Sequence, residues 1–178
     1  MKTLGLTLIL STLVWAHPSS AQPSLAEHQV KALFLFNFTR YVDWPDEAFE
    51  SETAPFIIGV IGEDSFDGEL NRIVRERKVN DREIVIRNVA GIDKIPGCHI
   101  LYVSFSERSR RDEIFEATEG LPVLTVGEGR RFLQQGGGGQ FLTTGGNVRL
   151  AIHRLNAERN GLVLSSQLLG VAEQVISE

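Results

Sequence analysis

Three acidic side chains that could do chemistry follow a predicted strand in the first half of the chain. Residues 56–62 form a continuous apolar run typical of a strand covered on both faces, and Glu63, Asp64 and Asp67 come soon after it. Open α/β sheets bind ligands at the carboxyl ends of their strands, so these carboxylates could form an acid/base pair or hold a cation. A solvated loop whose acids favour the start of the next helix is the simpler interpretation.

A second candidate is the glycine-containing loop at residues 125–129, where a strand passes into a helical segment. Dinucleotide-binding folds hold a pyrophosphate against a helix N-terminus at such a place. The match is poor, because Phe132 stands where the third glycine of that motif would fall and Glu128 places a negative charge inside the loop. The pattern therefore favours a tight turn over an anion site.

The remaining reactive residue types lack the spacing that catalysis or metal binding needs. His28, His99 and His153 have no metal-ligand spacing, and His99 and His153 border predicted strands, which is typical of structural histidines. No serine lies in a G-x-S-x-G elbow. The single cysteine, Cys98, excludes an internal disulfide; it is expected to be buried, with an intermolecular disulfide as the alternative. The sequence therefore predicts no catalytic residue, no metal and no cofactor.

The composition narrows the class of partner. The chain has 178 residues and a formal charge of −5, with no lysine- or arginine-rich run, which disfavours a nucleic-acid groove or an anionic membrane surface as the target. It is 42% hydrophobic and 23% charged, the balance of an ordinary globular domain. One compact domain is the expected organisation.

The first residues have the pattern of a secretory signal peptide. Lys2 precedes an apolar run at residues 4–16 that is too short for a permanent membrane helix, and Ser19 and Ala21 supply the small residues that signal peptidase needs. We expect residues 1–21 to be removed and residues 22–178 to form the mature domain. With no cysteine near the cleavage site to carry a lipid, the mature protein is expected to be free in an exported compartment.

Hydrophobic periodicity predicts alternating helices and strands after this segment. A capping box at Ser24–Glu27 should open a helix that reaches about Val42. The other predicted elements are strands at 56–62, 83–89, 99–104 and 121–126, helices at 66–77, 107–117 and 165–176, and a hairpin of strands 140–143 and 148–153. This order indicates an α/β fold: a single three-layer domain with a mostly parallel central sheet flanked by helices and a C-terminal antiparallel hairpin.

That architecture raises a binding hypothesis that does not depend on catalysis. The carboxyl edge of the predicted sheet carries Gly62, Glu63, Ser104 and Gly127, where an open α/β sheet would place a small ligand. A small-ligand-binding periplasmic sensor, acting with another receptor or a sensor kinase, is therefore one interpretation of the chain.

Five segments, in order and at similar spacing, resemble the YfiR family of periplasmic regulators. Residues 27–45, EHQVKALFLFNFTRYVDWP, are similar to the family's opening signature, VKAAFLYNFAKFVEWP. The likeness continues at residues 56–62, 97–104, 121–127 and 161–169, so it spans nearly the whole mature chain. Helix propensity alone does not require Asn37, the Trp44-Pro45 pair or the Ser165-Ser166 pair, which makes the first and last segments the most specific.

The resemblance implies a regulator that is not an enzyme. Such proteins form homodimers and hold an inner-membrane diguanylate cyclase inactive by binding its periplasmic region. An OmpA-like outer-membrane lipoprotein can sequester the regulator, which raises cyclic di-GMP and promotes biofilm formation.

The resemblance also implies a place for the partner surface, on the C-terminal hairpin and the last helix. By approximate alignment its residues are Phe141, Arg149, Ala151, Gln167 and Gln174. Phe34 and Phe38 are expected to make core or dimer contacts. Family members with a disulfide pair the cysteine matching Cys98 with one in the first strand, and the run at 56–62 has none. An acid is common at the position of Ala151, so partner specificity is expected to differ here.

Overall fold

A computed structural model describes residues 26–178, and the predicted signal peptide and the Ser24 cap lie outside that range. The helices are α1 Glu27–Tyr41, α2 Glu69–Val74, α3 Arg111–Thr118, α4 Arg154–Arg159 and α5 Ser166–Val171. The strands are β1 Val42–Asp43, β2 Phe56–Ile61, β3 Lys78–Val79, β4 Arg82–Val89, β5 Ile100–Val103, β6 Leu124–Glu128, β7 Gly139–Thr144, β8 Asn147–His153, β9 Val163–Leu164 and β10 Gln174–Ile176. No helix within residues 26–178 is both long and apolar enough to cross a membrane.

The central sheet confirms the predicted α/β class. Its eight strands lie in the order β10-β8-β7-β6-β5-β2-β4-β3, and β4, β2, β5, β6 and β7 are parallel to one another. β2 lies inside the sheet between β4 and β5, and its residues pack in both apolar clusters, Ile58 in one and Ile61 in the other, so its apolar run is covered on both faces. A separate two-stranded antiparallel pair, β1 with β9, joins the end of α1 to the C-terminal region.

Two layers of helix cover the sheet. On one face α1 and α2 pack on alternate strand residues such as Ile58, Ile100 and Val126, in one apolar cluster. On the other face, Ile114 and Phe115 of α3 and the side chain of Phe132 pack on Leu101 and Val103 in a second cluster. The predicted three layers follow from this alternation, because successive strand residues point to opposite faces.

The predicted hairpin is present, and its tight turn explains its sequence. Gly145 and Gly146 have φ values of 58° and 79°, so both stand in the left-handed region that a two-residue hairpin turn needs. Thr144 pairs with Asn147 across this turn. The antiparallel pairing of β7 and β8 then extends as far as Gly139 and Ile152. The hairpin is inserted between β6 and β10, so β8 is not the edge strand.

The prediction of a last helix at 165–176 is wrong in its second half. Helix α5 ends at Val171, and β10 then pairs in parallel with β8, Gln174 beside Ala151 and Ile176 beside His153. The amide of Glu173 donates to the carbonyl oxygen of Leu150 at 2.8 Å. The open backbone edge of β8 accepts these bonds, and that edge is visible only once the sheet exists.

Other predicted boundaries shift in the structure for local reasons. The helix predicted at 66–77 is confined to α2, because Gly68 before it has a φ of 75° and Arg75 after it has a ψ of 127°, both outside the helical region. A 3₁₀ turn at Phe105–Glu107 precedes α3, so the helix predicted from 107 begins later. Strand β6 begins at Leu124 and not at 121, and the short helix α4 was not predicted at all.

Candidate functional site

Charged side chains converge on Glu128, at the carboxyl end of β6. The Nζ of Lys31 donates to the carboxylate of Glu128 at 2.7 Å, and the Tyr102 hydroxyl donates to its other oxygen. Lys31 also pairs with Glu27, one turn earlier on α1, and the hydroxyl of Thr143 donates to the Glu27 carboxylate at 3.1 Å. The four groups Glu27, Lys31, Tyr102 and Glu128, here called the Glu128 cluster, join α1 to β5 and β6.

The elements fix each member of the Glu128 cluster with little freedom. Tyr102 is fully buried at the centre of the sheet, and burial, with the hydrogen bond to Glu128, raises the pKa of its hydroxyl. Lys31 is 5% exposed and stands among the apolar residues of α1. The hydrogen bond from Lys31 holds the pKa of Glu27 below its usual value. Because each charge already has a partner, the cluster stabilises the fold and has no free acid or base.

Sequence reasoning missed the Glu128 cluster. It treated Glu128 as a loop acid that argues against an anion site, and it gave Lys31 no role. The available signal was the isolated Lys31 in the run Val-Lys-Ala-Leu-Phe-Leu-Phe, because a lone charge on a buried helix requires a partner of opposite charge.

Arg111, the first residue of α3, closes the same corner of the sheet. It is 3% exposed, and its guanidinium donates to the backbone carbonyl of Glu128 and lies over the ring of Phe132, 5.1 Å from its centroid. Burial and the neighbouring Arg108 lower the pKa of Arg111. Its Nε is buried and has no hydrogen-bond partner within residues 26–178.

The predicted ligand edge is brought together only in part. The amide of Glu63 donates to Ser106 Oγ at 3.1 Å, Ser104 is buried beside it, and a Cβ on Gly62 would come within 2.5 Å of Ser106 Oγ. Gly127 pairs with Val103, the residue before Ser104, and lies directly under the Phe132 ring, which fills the space that a ligand would need there. The described residues hold no group of three or more His, Cys, Asp or Glu side chains placed to bind a metal ion.

Two cavities lie near these residues. One of about 270 Å³ opens beside the carboxyl ends of β2 and β4, with an apolar floor that includes Phe66 and polar walls from Asp64, Asn71 and Asn88. A wider cleft of about 630 Å³ lies between α3 and α4 and is lined by acidic and amide side chains, among them Glu116 and Asn156.

The residues expected to bind a partner divide by exposure. Arg149, Gln167 and Gln174 are exposed, whereas Phe141 and Ala151 are buried at 2% and 1% exposure. A partner could reach Phe141 or Ala151 only if neighbouring elements moved. Arg149 forms an ion pair with Glu173 at 3.6 Å, which ties β8 to the residue before β10.

The two phenylalanines of α1 also differ in exposure. Phe38 is buried in the core at 1% exposure. Phe34 is half-buried, with its ring centroid 5.8 Å from that of Phe141. Phe34 is thus the one of the pair with surface left to contact a second subunit.

The opposite, amino-terminal end of the sheet is held by His99. Its Nδ1 accepts from the amide of Ile57 at 3.0 Å and its Nε2 is 3.1 Å from the carbonyl oxygen of Ala48, which requires a neutral ring protonated at Nε2. The ring stacks between Phe49 and Phe56. Burial lowers the pKa of His99 to about 4, so the geometry matches a structural histidine.

Cys98 lies beside this end of the sheet and is 3% exposed. Burial raises the pKa of its thiol, which disfavours the reactive thiolate. A disulfide to another chain would require Cys98 to reach the surface first.

Comparisons with known proteins show which family and which solved structures the chain is similar to. A family model described as YfiR/HmsC-like matches residues 28–173. No curated protein matches the chain. A conserved domain protein from Vibrio cholerae O1 biovar El Tor has a similar fold, with a TM-score of 0.52 at 11% identity over 85% of this chain. The match covers 60% of the Vibrio chain, so the present chain spans about three fifths of that protein's length.

A second solved structure is more distant. It is the ABC domain from Streptococcus pneumoniae in complex with L-Trp, with a TM-score of 0.46 at 13% identity, covering 68% of this chain and 55% of that one.

Proposed function

Because the chain belongs to the YfiR/HmsC-like family, we propose that it is a periplasmic regulator that binds and represses an inner-membrane signalling protein. The family match over residues 28–173 carries this proposal. The partner that we propose is a diguanylate cyclase, bound through its periplasmic region. Repression of this cyclase would lower cyclic di-GMP and biofilm formation.

The chemistry of the interior supports a role in binding without catalysis. Lys31 and Glu128 are paired with each other, Tyr102 donates to Glu128, and both ring nitrogens of His99 are engaged by backbone groups. A general acid or base has to present a free group to a substrate, and these four side chains present none.

The exposed part of the predicted partner surface supports an interaction at the C-terminal end of the sheet. Arg149, Gln167 and Gln174 are polar, and Val171 at the end of α5 and Val175 on β10 are 66% and 38% exposed. Apolar side chains surrounded by polar ones are typical of protein interfaces. We place the cyclase-binding surface on these five residues.

Two further partners belong to the same proposal. A homodimer would use the exposed part of Phe34 on α1. An OmpA-like outer-membrane lipoprotein would release the cyclase by competing for this protein.

The test is co-purification of the mature protein from solubilised envelope, with mass spectrometry of the bound proteins and a cellular assay of cyclic di-GMP. We expect an inner-membrane protein with a cytoplasmic cyclase domain, and higher cyclic di-GMP when the gene is deleted. Arg149→Glu with Gln174→Glu should abolish both binding and repression, whereas the control Arg75→Glu, exposed beyond α2, should not. Recovery of a sensor kinase in place of a cyclase would contradict the choice of partner.

The cavity beside β2 and β4 supports a second candidate function, sensing of a small ligand. Its volume of about 270 Å³ and its mixture of apolar floor and polar walls suit a small polar molecule. The check is a thermal-shift screen of amino acids, nucleotides and vitamins on the wild-type protein and on Asn71→Leu. A ligand that raises the melting temperature of the wild type but not of the variant would support the sensor, and a screen without any shift would contradict it.

A further inference from the structure

Five arginines of this acidic protein lie at one corner of the sheet. The chain carries 23 Asp and Glu against 18 Lys and Arg, yet Arg108, Arg110, Arg111, Arg130 and Arg131 all lie in the loops that follow β5 and β6 and at the start of α3. Four of them are exposed, and Arg111 is the buried one. Exposed arginines grouped at one corner of a protein of negative net charge could attract an anionic partner.

Part of the positive charge at this corner has no ion-pair partner within residues 26–178, although Glu107, Asp112 and Glu113 lie in the same segment as Arg108 and Arg110. Arg110 pairs with Glu107 and Glu113 at 3.2 and 3.4 Å. Arg108, Arg130 and Arg131 form no salt bridge with any of residues 26–178, and Glu128, the nearest acid in the chain to Arg130, is already bound to Lys31 and Tyr102. Three guanidinium groups are therefore left to face solvent.

The loops that carry these arginines are locked in place. Phe105 packs against Gly129, where a Cβ would lie 2.9 Å from the ring, so the β5 and β6 loops touch. Arg111 bonds the carbonyl of Glu128, and Phe132 is fully buried beneath. A backbone that is already fixed loses little entropy on binding, which favours a recognition surface over a merely solvated loop.

An exposed aromatic ring lies among the arginines. Phe105 is 51% exposed, and the guanidinium of Arg108 lies over it, 5.2 Å from the ring centroid. Arginine and aromatic residues are enriched at protein interfaces, where they often contribute most of the binding energy. One exposed ring gives a membrane little apolar area to bury, so the composition favours a protein partner over a lipid surface.

Strand register connects this corner to Arg149. Phe141 pairs with Glu128 and Leu142 pairs with Arg149, so Arg149 lies level with Gly129, about 10 Å away across two strand spacings. Arg149 projects from the same face as Ala151, which packs in the apolar cluster of Phe132. The corner that carries Arg108, Arg130 and Arg131, here called the arginine corner, is therefore continuous with the proposed cyclase-binding surface.

We propose that the surface formed by Phe105, Arg108, Arg130, Arg131 and Arg149 docks an acidic segment of the membrane partner, rich in Asp and Glu. Guanidinium groups bind carboxylates in bidentate pairs, which gives both attraction and orientation. This inference rests on the proposed function and adds the chemistry of the partner segment that the regulator recognises.

The direct test measures fluorescence anisotropy of a labelled peptide of alternating Asp and Glu against the mature protein. We expect binding that weakens as NaCl is raised, because exposed charges are screened. Arg108→Glu/Arg130→Glu/Arg131→Glu should weaken it by about tenfold or more. The matched control, Arg75→Glu/Lys78→Glu/Arg159→Glu, changes the net charge equally at exposed sites elsewhere and should keep most of the affinity.

Three outcomes would overturn the proposal. They are no binding of the acidic peptide, equal weakening by the two triple variants, and arginine-dependent binding to phosphatidylglycerol vesicles but not to the peptide. Co-purification separates this proposal from the proposed function. A cyclase that binds the arginine variant as tightly as the wild type overturns the docking surface alone, whereas peptide binding without any bound cyclase overturns the choice of partner alone.

Discussion

The two ends of the central sheet satisfy their buried polar side chains in different ways. At the amino-terminal end, His99 satisfies both ring nitrogens with backbone groups and stacks between two phenylalanines, all without charge. At the carboxyl end, Lys31, Glu27 and Glu128 satisfy one another as ions. A neutral network is sensitive to protonation of its base, whereas an ionic network is sensitive to loss of either partner. The two ends should therefore fail under different changes.

The largest expected effect comes from removing one partner of the ionic end. Glu128→Leu leaves Lys31 buried with only the half-exposed Glu27 as a partner, and Tyr102 without an acceptor. Breaking a buried ion pair should cost about 3 kcal/mol in the free energy of unfolding, measured by urea denaturation. The double variant Lys31→Met/Glu128→Leu should recover much of that loss, and failure to recover any would contradict the account of an ionic network.

The next largest effect is expected at the neutral end, where the free energy of unfolding should depend on pH. The pKa of His99 is lowered to about 4 in the folded protein from an ordinary value of 6.5, so between those pH values the unfolded chain binds the proton more readily. Stability should fall as the pH drops through this window, by about 2–3 kcal/mol.

The measurement is the free energy of unfolding between pH 7 and pH 4 for wild type and His99→Gln. The variant should be less stable at pH 7 but should show a flatter pH dependence. His153→Gln is the matched control, because burial lowers the pKa of His153 less strongly, and most of the wild-type slope should remain. Equal slopes for wild type and His99→Gln would contradict the assignment.

The smallest effect tests how tightly the carboxyl-end loops are packed. Gly62 and Gly68 both have positive φ, 91° and 75°, but a Cβ on Gly62 would meet Ser106, Glu107 and Ser104, whereas one on Gly68 would meet nothing within 4 Å. Gly62→Ala should therefore cost about 1–2 kcal/mol more than Gly68→Ala in thermal or urea unfolding. Equal losses of stability in the two variants would contradict this account, because the loop at Gly62 would then accommodate a methyl group at no extra free-energy cost.

The sequence predicted the sheet well because its evidence is local. The apolar run before Gly62 and the glycine pair at 145 and 146 have strong periodic or conformational signatures, and both predictions are confirmed. Strand β10 could not be predicted in the same way, since Gln-Val-Ile has no pattern of its own and forms a strand because β8 offers an open edge. Tertiary context overrode the helical periodicity there.

The candidate sites were harder to predict for the same reason. Lys31 and Glu128 are 97 residues apart in sequence and meet only in the folded chain. The arginine corner was hidden because its members come from two separate loops, each too short to appear as a basic run. Phe141 and Ala151, both expected at a partner surface, are buried because both faces of the hairpin are covered: Phe141 packs in the apolar cluster beneath α1, and Ala151 packs in the cluster of Phe132.

Strand β10 also has a consequence for local stability. It is three residues long, lies at the edge of the sheet and has exposed side chains at Gln174 and Val175, so few contacts oppose its detachment. Its amide hydrogens should exchange with solvent well before those of the buried strands β2 and β5, through opening events that leave the rest of the sheet intact. The C-terminal strand β10 would then detach from the sheet without global unfolding. A molecule that binds Gln174 would change the fraction of time for which β8 is an unpaired edge strand.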